Sequence, residues 1–108
     1  MESFSRFQVH IAPMVDVTHR SFRHFMRLLS KKTVIWTEMI HMNAVVMSPD
    51  REKLLAPGCA KPVIFQLGGN DPDMMAKAAK IVETYEYDEV NINCGCPSDR
   101  ATDGCFGA

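Results

Sequence analysis

The sequence predicts an α/β fold built on a parallel sheet, and three observations carry that prediction. Four short apolar stretches recur along the chain, with helical periodicity in the segments between them. The stretches are nearly continuous apolar runs, the pattern of strands covered on both faces. Polar residues then collect just after each stretch, at the edge where parallel α/β folds bind ligands.

Residues 7–13, FQVHIAP, form the first expected strand. Thr18 is placed to cap the helix THRSFRHFMRLLS, whose Phe22, Phe25, Met26 and Leu29 fall at i, i+3, i+4 and i+7. Arg20, Arg23 and Arg27 lie opposite that stripe, with Lys31 and Lys32 extending the basic face. A solvated helix surface is the expectation there, and contact with RNA phosphates the alternative. Residues 33–39, TVIWTEM, are β-branched and aromatic and form the second strand. A shorter helix is expected over 40–47. The following SPDREKLLAPGCAKP, with its prolines and glycine, reads as a connecting loop.

Residues 62–69, PVIFQLGG, make the third strand, closed by two glycines. NDPDMMAKAAKIVETYE is the clearest helix. Asp71 stands at its N-cap, Pro72 at the first helical position, and Asp73 in the first turn, where the helix dipole favours negative charge. Met75, Ala78, Ala79 and Val82 are its expected buried stripe. Residues 88–95, DEVNINCG, form the fourth strand. Such alternation implies parallel strands joined by right-handed crossovers. A doubly wound open sheet and a (β/α)8 barrel both fit. A complete barrel runs to about 250 residues, so four strands would be its first half. No G-x-G-x-x-G follows the first strand, which counts against a dinucleotide-binding open sheet.

The chain has 108 residues, 46% hydrophobic and 23% charged, with a formal net charge of −1. That balance is ordinary globular composition, and total charge points to no nucleic-acid partner. No apolar run approaches the roughly 18 residues of a membrane span. The start, MESFSRFQVHIAP, has neither a signal peptide's regions nor a transit pattern. A cytoplasmic chain is therefore expected, with Cys59, Cys94, Cys96 and Cys105 kept as thiols. No metal site is expected, since Cys94 and Cys96 are too close for a C-x₂₋₄-C knuckle and no H-x₃₋₅-H pair follows.

Candidate functional residues sit at the strand ends: Pro13, Met14 and Asp16, then Glu38 and Met39, then Gln66, then Asn93 and Cys96. Glu38 suits either a ligand or a helix start, where an acidic group is stabilised anyway. Gln66 ends an apolar strand, and a buried amide must find partners; the flat edge of a cofactor would supply them. Asn93 follows Asn91 by two residues and points the same way along a strand, with a turn-forming role as the alternative. Cys96 lies between Gly95 and Pro97, in a bent loop where a thiol can reach a ligand. Cys94 is nearer the strand body and is expected to pack as a small hydrophobe.

The wording of four motifs goes further. APM, TEM, QLGG and NINCGCPSDRATDGCFGA, in that order, resemble the tRNA-dihydrouridine synthases over about residues 6–108. FMRLLS, YDEVNINCGCPSDR and GCFGA resemble subgroup A in particular. The resemblance implies the first four or so β/α units of a TIM (β/α)8 barrel that binds FMN, residues 1–108 being its N-terminal part. It implies reduction of a uridine in tRNA to 5,6-dihydrouridine, with NADPH as electron donor. Pro13, Met14 and Val15 would lie against the flavin through their backbone, and Gln66 would bond its ring edge. Asn93 and Glu38 would serve the substrate, and Cys96 would be the general acid.

The later strands and the helical tRNA-binding domain of that family are not among these residues. Half a barrel leaves open strand edges. The chain alone is therefore expected to bind FMN weakly or not at all, a missing half or an oligomer completing it. Two other readings follow: a flavin barrel acting as reductase or dehydrogenase of a free pyrimidine such as dihydroorotate, and an inactive truncated RNA-contact module.

Overall fold

The computed structural model describes residues 8–95. Four strands form one parallel sheet: β1 (His10–Ile11), β2 (Val34–His41), β3 (Val63–Gly68) and β4 (Glu89–Ile92). Four helices connect them: α1 (Arg20–Leu29), α2 (Met42–Met47), α3 (Arg51–Leu55) and α4 (Pro72–Glu83). The strand order is β1-β2-β3-β4. This order separates the two architectures that the alternation allows. A doubly wound sheet reverses direction after its first half, whereas crossovers of one hand that always advance keep every helix on one face. Sequential order is the beginning of a barrel.

The core lies between β3 and the helices. Met42, Val45, Leu55, Phe65, Leu67, Ala78 and Val82 form one buried cluster, with Met74, Met75, Ile81 and Tyr87 packed around it. All six residues of β3 are buried. Phe65 and Leu67 face the helices, so Ile64 and Gln66 occupy the opposite face, the interior of the curved sheet. Glu89 and Asn91 of β4 pair with those two residues and share that face. α4 begins as its composition dictates. Asp71 Oδ1 accepts the N–H groups of Asp73 (2.9 Å) and Met74 (3.1 Å), with Pro72 next. Of its expected stripe, Ala78 and Val82 are buried, and Met75 and Ala79 are half-buried.

Several elements depart from expectation. β2 runs on to His41, and α2 starts at Met42 rather than at residue 40, capped by the His41 imidazole, whose Nδ1 accepts from Asn43 N–H at 3.0 Å. The expected loop over 48–62 contains α3, whose N-cap Asp50 accepts from Lys53 N–H at 3.1 Å. α1 is capped by His19, not Thr18: His19 Nδ1 accepts from Phe22 N–H at 3.2 Å.

The packing face of α1 is also different. Phe25 and Leu29 of the apolar stripe are exposed, as is Leu28, while Arg23 is buried. The arginine side packs instead against residues 51–62. Arg20 donates to the carbonyls of Glu52 (2.8 Å) and Lys53 (2.9 Å). Arg23 donates to Pro57 O (2.9 Å) and Thr18 O (2.7 Å), and Arg27 to Ala60 O (3.0 Å), Thr33 O (2.8 Å) and Pro62 O (2.6 Å). Guanidinium forks bond several carbonyls of that connecting segment at once. Gly58 completes the fit. It has φ +73°, and a Cβ there would collide with the Arg20 side chain.

Candidate active site

The C-terminal edge of the sheet is assembled from four strand ends. After β1 the chain turns tightly. Met14 O accepts the N–H groups of Val17 (3.0 Å) and Thr18 (2.9 Å). Thr18, fully buried, then closes the turn with its hydroxyl: Oγ1 accepts from Met14 N–H at 3.1 Å and donates to Met14 O at 3.2 Å. Both polar backbone groups of Met14 are thus used inside the turn, while its side chain is exposed. Asp16 takes a left-handed conformation, φ 64°, uncommon for a residue with a side chain.

Glu38 holds that conformation in place. Its Oε1 accepts the Asp16 N–H at 2.6 Å, a short charge-assisted bond between β2 and the loop after β1. Glu38 can reach because β2 carries an irregularity: pairing with β3 shifts between Trp36 and Met39. An extra residue in one strand bends it and re-aims the side chains beside it. Thr37 fills the gap in the ladder. Its Oγ1 accepts the Gln66 N–H at 3.0 Å and donates to Glu38 O at 2.8 Å. Glu38 therefore caps no helix; it ties the first loop to the second strand.

Gln66 is 8% exposed, and its amide joins two asparagines. Nε2 donates to Asn91 Oδ1 at 3.0 Å, and Oε1 accepts from Asn93 Nδ2 at a longer 3.4 Å. The buried amide finds partners within the protein, both on β4 or its extension. Asn93 is held in turn by its own N–H, which donates to Leu67 O at 2.9 Å, while its Oδ1 accepts from Gly95 N–H at 3.3 Å. That second bond is an Asx turn, so the ligand-facing and turn-forming readings of Asn93 describe the same side chain. Gly69 lies at the same rim; a Cβ there would press on the side chains of Met42 and Met75.

The sequence-derived residues thus meet in two linked groups. Glu38 meets the Met14–Asp16 turn, and Gln66 meets Asn93, with Thr37 joining the groups through Gln66 N–H. Pro13 and Val15 are half-buried in that turn. Cys96 and Cys105 lie outside the described residues. Cys94 is exposed rather than packed, because the chain has already left β4. Cys59 is half-buried, and burial pushes its thiol up from the ordinary value, against the pull of Arg27 and Arg23. Sequence reasoning passed over Thr18, Thr37 and Asn91 as site residues. Only Asn91 left a signal, its two-residue spacing from Asn93. Among the described residues, no three His, Cys, Asp or Glu side chains converge as a metal site, and no helix is long and apolar enough to cross a membrane.

Comparison with known proteins agrees with the motif wording. A family model described as dihydrouridine synthase (Dus) matches residues 10–108. The chain is 47% identical over 102 residues to a tRNA-dihydrouridine(20/20a) synthase of Xanthomonas campestris pv. campestris, covering 94% of this chain and 30% of that protein. It is 49% identical over 100 residues to the Synechocystis sp. protein of the same name, covering 91% and 29%. An Escherichia coli O6:H1 protein of that name is 44% identical over 105 residues, covering 97% and 31%. The chain spans about 30% of the length of these relatives.

Proposed function

The chain belongs to the dihydrouridine synthase family, and on that premise we propose that it forms the N-terminal part of an FMN-binding barrel that reduces a uridine of tRNA to 5,6-dihydrouridine in the cytoplasm. The observation that carries this reading is the amide pair at the rim. Gln66 on β3 and Asn93 just past the end of the adjacent parallel β4 bond each other towards the edge where such folds bind ligands.

The residues present fit a flat heteroaromatic cofactor. A primary amide has two N–H donors and two acceptor lone pairs, so Gln66 keeps a donor and an acceptor beyond its bonds to Asn91 and Asn93. The Met14–Asp16 turn beside it has its polar groups tied back to Thr18 and Glu38, leaving a preshaped surface for a ring. Bound FMN, recharged by NADPH, would supply a hydride to the uracil 5,6 double bond.

The chain's own residues supply the rest. Gln66 would hold the flavin edge and the 13–15 backbone its side. Asn93, anchored by its Asx turn, would hold the uracil. Cys96 would give its Sγ proton to the carbon that carries negative charge; a thiol with a reference pKa near 8.5 is mostly protonated at pH 7. The base must first leave the tRNA stack, at about a few kcal/mol, least for a poorly stacked loop uridine. Glu38 contributes by shaping the first loop, and any contact with substrate would use its remaining carboxylate oxygen.

Mass spectrometry of tRNA from cells lacking the gene tests the reading. Dihydrouridine is expected to be lost at one or a few positions. The intact gene should restore it, and a Cys96→Ala gene should restore less than about a hundredth of the rate. Unchanged dihydrouridine in the deletion strain would remove the proposal.

A further inference from the structure

We infer that Asn91 is a positioning residue that sets which end of the Gln66 amide faces the rim. The inference rests on the flavin-site reading for its ligand; its geometry stands on the interstrand bonds alone. Asn91 lies directly beside Gln66 in the β3–β4 register. Its Oδ1 accepts from Gln66 Nε2 at 3.0 Å. The amino end of the amide is therefore turned towards Asn91, which takes one of its two N–H groups, and the carbonyl end faces Asn93, two residues nearer the C-terminal edge.

The three amides run in one direction: Asn93 donates to Gln66, and Gln66 donates to Asn91. The direction of the relay is anchored outside it at the rim end. At the rim, Gly95 N–H takes Asn93 Oδ1, so the Asn93 amino group is the end left for Gln66. At the inner end, Asn91 Oδ1 takes the Gln66 amino group. Reversing Gln66 would place its Oε1 against Asn91 Oδ1, two acceptors facing each other in a side chain that is 8% exposed. The relay thus presents an acceptor, the Gln66 carbonyl, towards the rim beside Asn93. The ligand group it selects is an N–H donor on the edge of a flat ring, such as an imide.

The test separates this role from the flavin reading. In ligand-free full chain, hydrogen exchange of the Gln66 side-chain amide is followed by ¹⁵N NMR. Protection is expected in the wild type and in Asn91→Asp, whose carboxylate still accepts from Nε2. Asn91→Val, which suits a strand but cannot accept, should exchange about tenfold faster. FMN titration of the same substitutions in the complete barrel should show Asn91→Val about fivefold to tenfold weaker and Asn91→Asp close to wild type. Equal Gln66 exchange in wild type and Asn91→Val, whatever the unfolding midpoints, would overturn the inference and leave Asn91 merely structural. Should Asn91→Val not fold, an unprotected Gln66 amide in the wild type has the same force. A complete wild-type barrel, this segment joined to the missing half, that takes up no FMN would sink the flavin reading, while the exchange data would still decide Asn91.

Discussion

At the scale of single residues, Thr18 and Glu38 are instructive because each is used differently from what its neighbours in sequence suggest. Threonine before a helical pattern is an N-cap signal, yet the Thr18 hydroxyl closes the Met14 turn and the cap passes to His19. Glutamate after a strand suggests a ligand group or a helix start, yet Glu38 accepts the Asp16 N–H. Thr18→Val keeps the shape and removes the hydroxyl, leaving the Met14 N–H without its acceptor. It should cost about 1–3 kcal/mol, read as a lower urea midpoint at unchanged slope. Glu38→Gln keeps an acceptor and should cost less than Thr18→Val in the same measurement, because the amide oxygen still reaches Asp16 without its charge.

At the scale of elements, α1 inverts the usual rule for an amphipathic helix. Arg23 and Arg27 lie against the β2–β3 connection while Phe25, Leu28 and Leu29 face outward. The sequence-level expectation of a solvated basic face holds for Arg20, Lys31 and Lys32, which are exposed, and fails at Arg23, which is buried, for a physical reason. The segment over 51–62 presents several carbonyls to this helix, those of Ala56, Pro57 and Ala60 among them, and only long, multiply donating side chains reach several at once. Arg23 also donates to Thr18 O, so the brace supports the site-forming turn. Burial lowers the Arg23 pKa, but a guanidinium remains charged throughout the working range. Arg23→Leu is expected to cost about 2–4 kcal/mol by leaving buried carbonyls unpaired. Arg23→Lys should recover only part of it, since one ammonium cannot replace the fork. Chemical denaturation of both variants checks this, and a loss below about 0.5 kcal/mol would show the brace to be dispensable.

At the scale of the whole molecule, Tyr87, in the connection between α4 and β4, joins β3 to α3. Its ring packs edge-on against Phe65 at 5.2 Å, and its hydroxyl donates to Leu55 O at 2.6 Å. Burial pushes its pKa from 10.0 up to about 12. The native state thus holds this proton more tightly than the unfolded chain. Its contribution to stability is complete below about pH 10 and is lost as pH rises towards about 12. Tyr87→Phe lacks that titration. The stability gap between wild type and Tyr87→Phe, measured by urea unfolding at pH 8 to 12, should therefore narrow across this window; a constant gap would mean that Tyr87 ionises alike in both states.

Amino-acid sequence alone determined the alternation of strands and helices, the cap of α4, and the edge at which the candidate residues collect. These are local properties: apolar period, Asp71 before Pro72, and the residues that follow each apolar run. The family, too, is written in contiguous motifs from APM to GCFGA. What only the tertiary structure decided concerns partners distant in the chain. The sequential strand order, the burial of Arg23 against the β2–β3 connection, the Glu38–Asp16 bond and the Asn93–Gln66–Asn91 relay join residues more than 20 positions apart. No local periodicity encodes such pairings, because a hydrogen-bonding side chain takes whatever unpaired group the fold brings within about 3 Å.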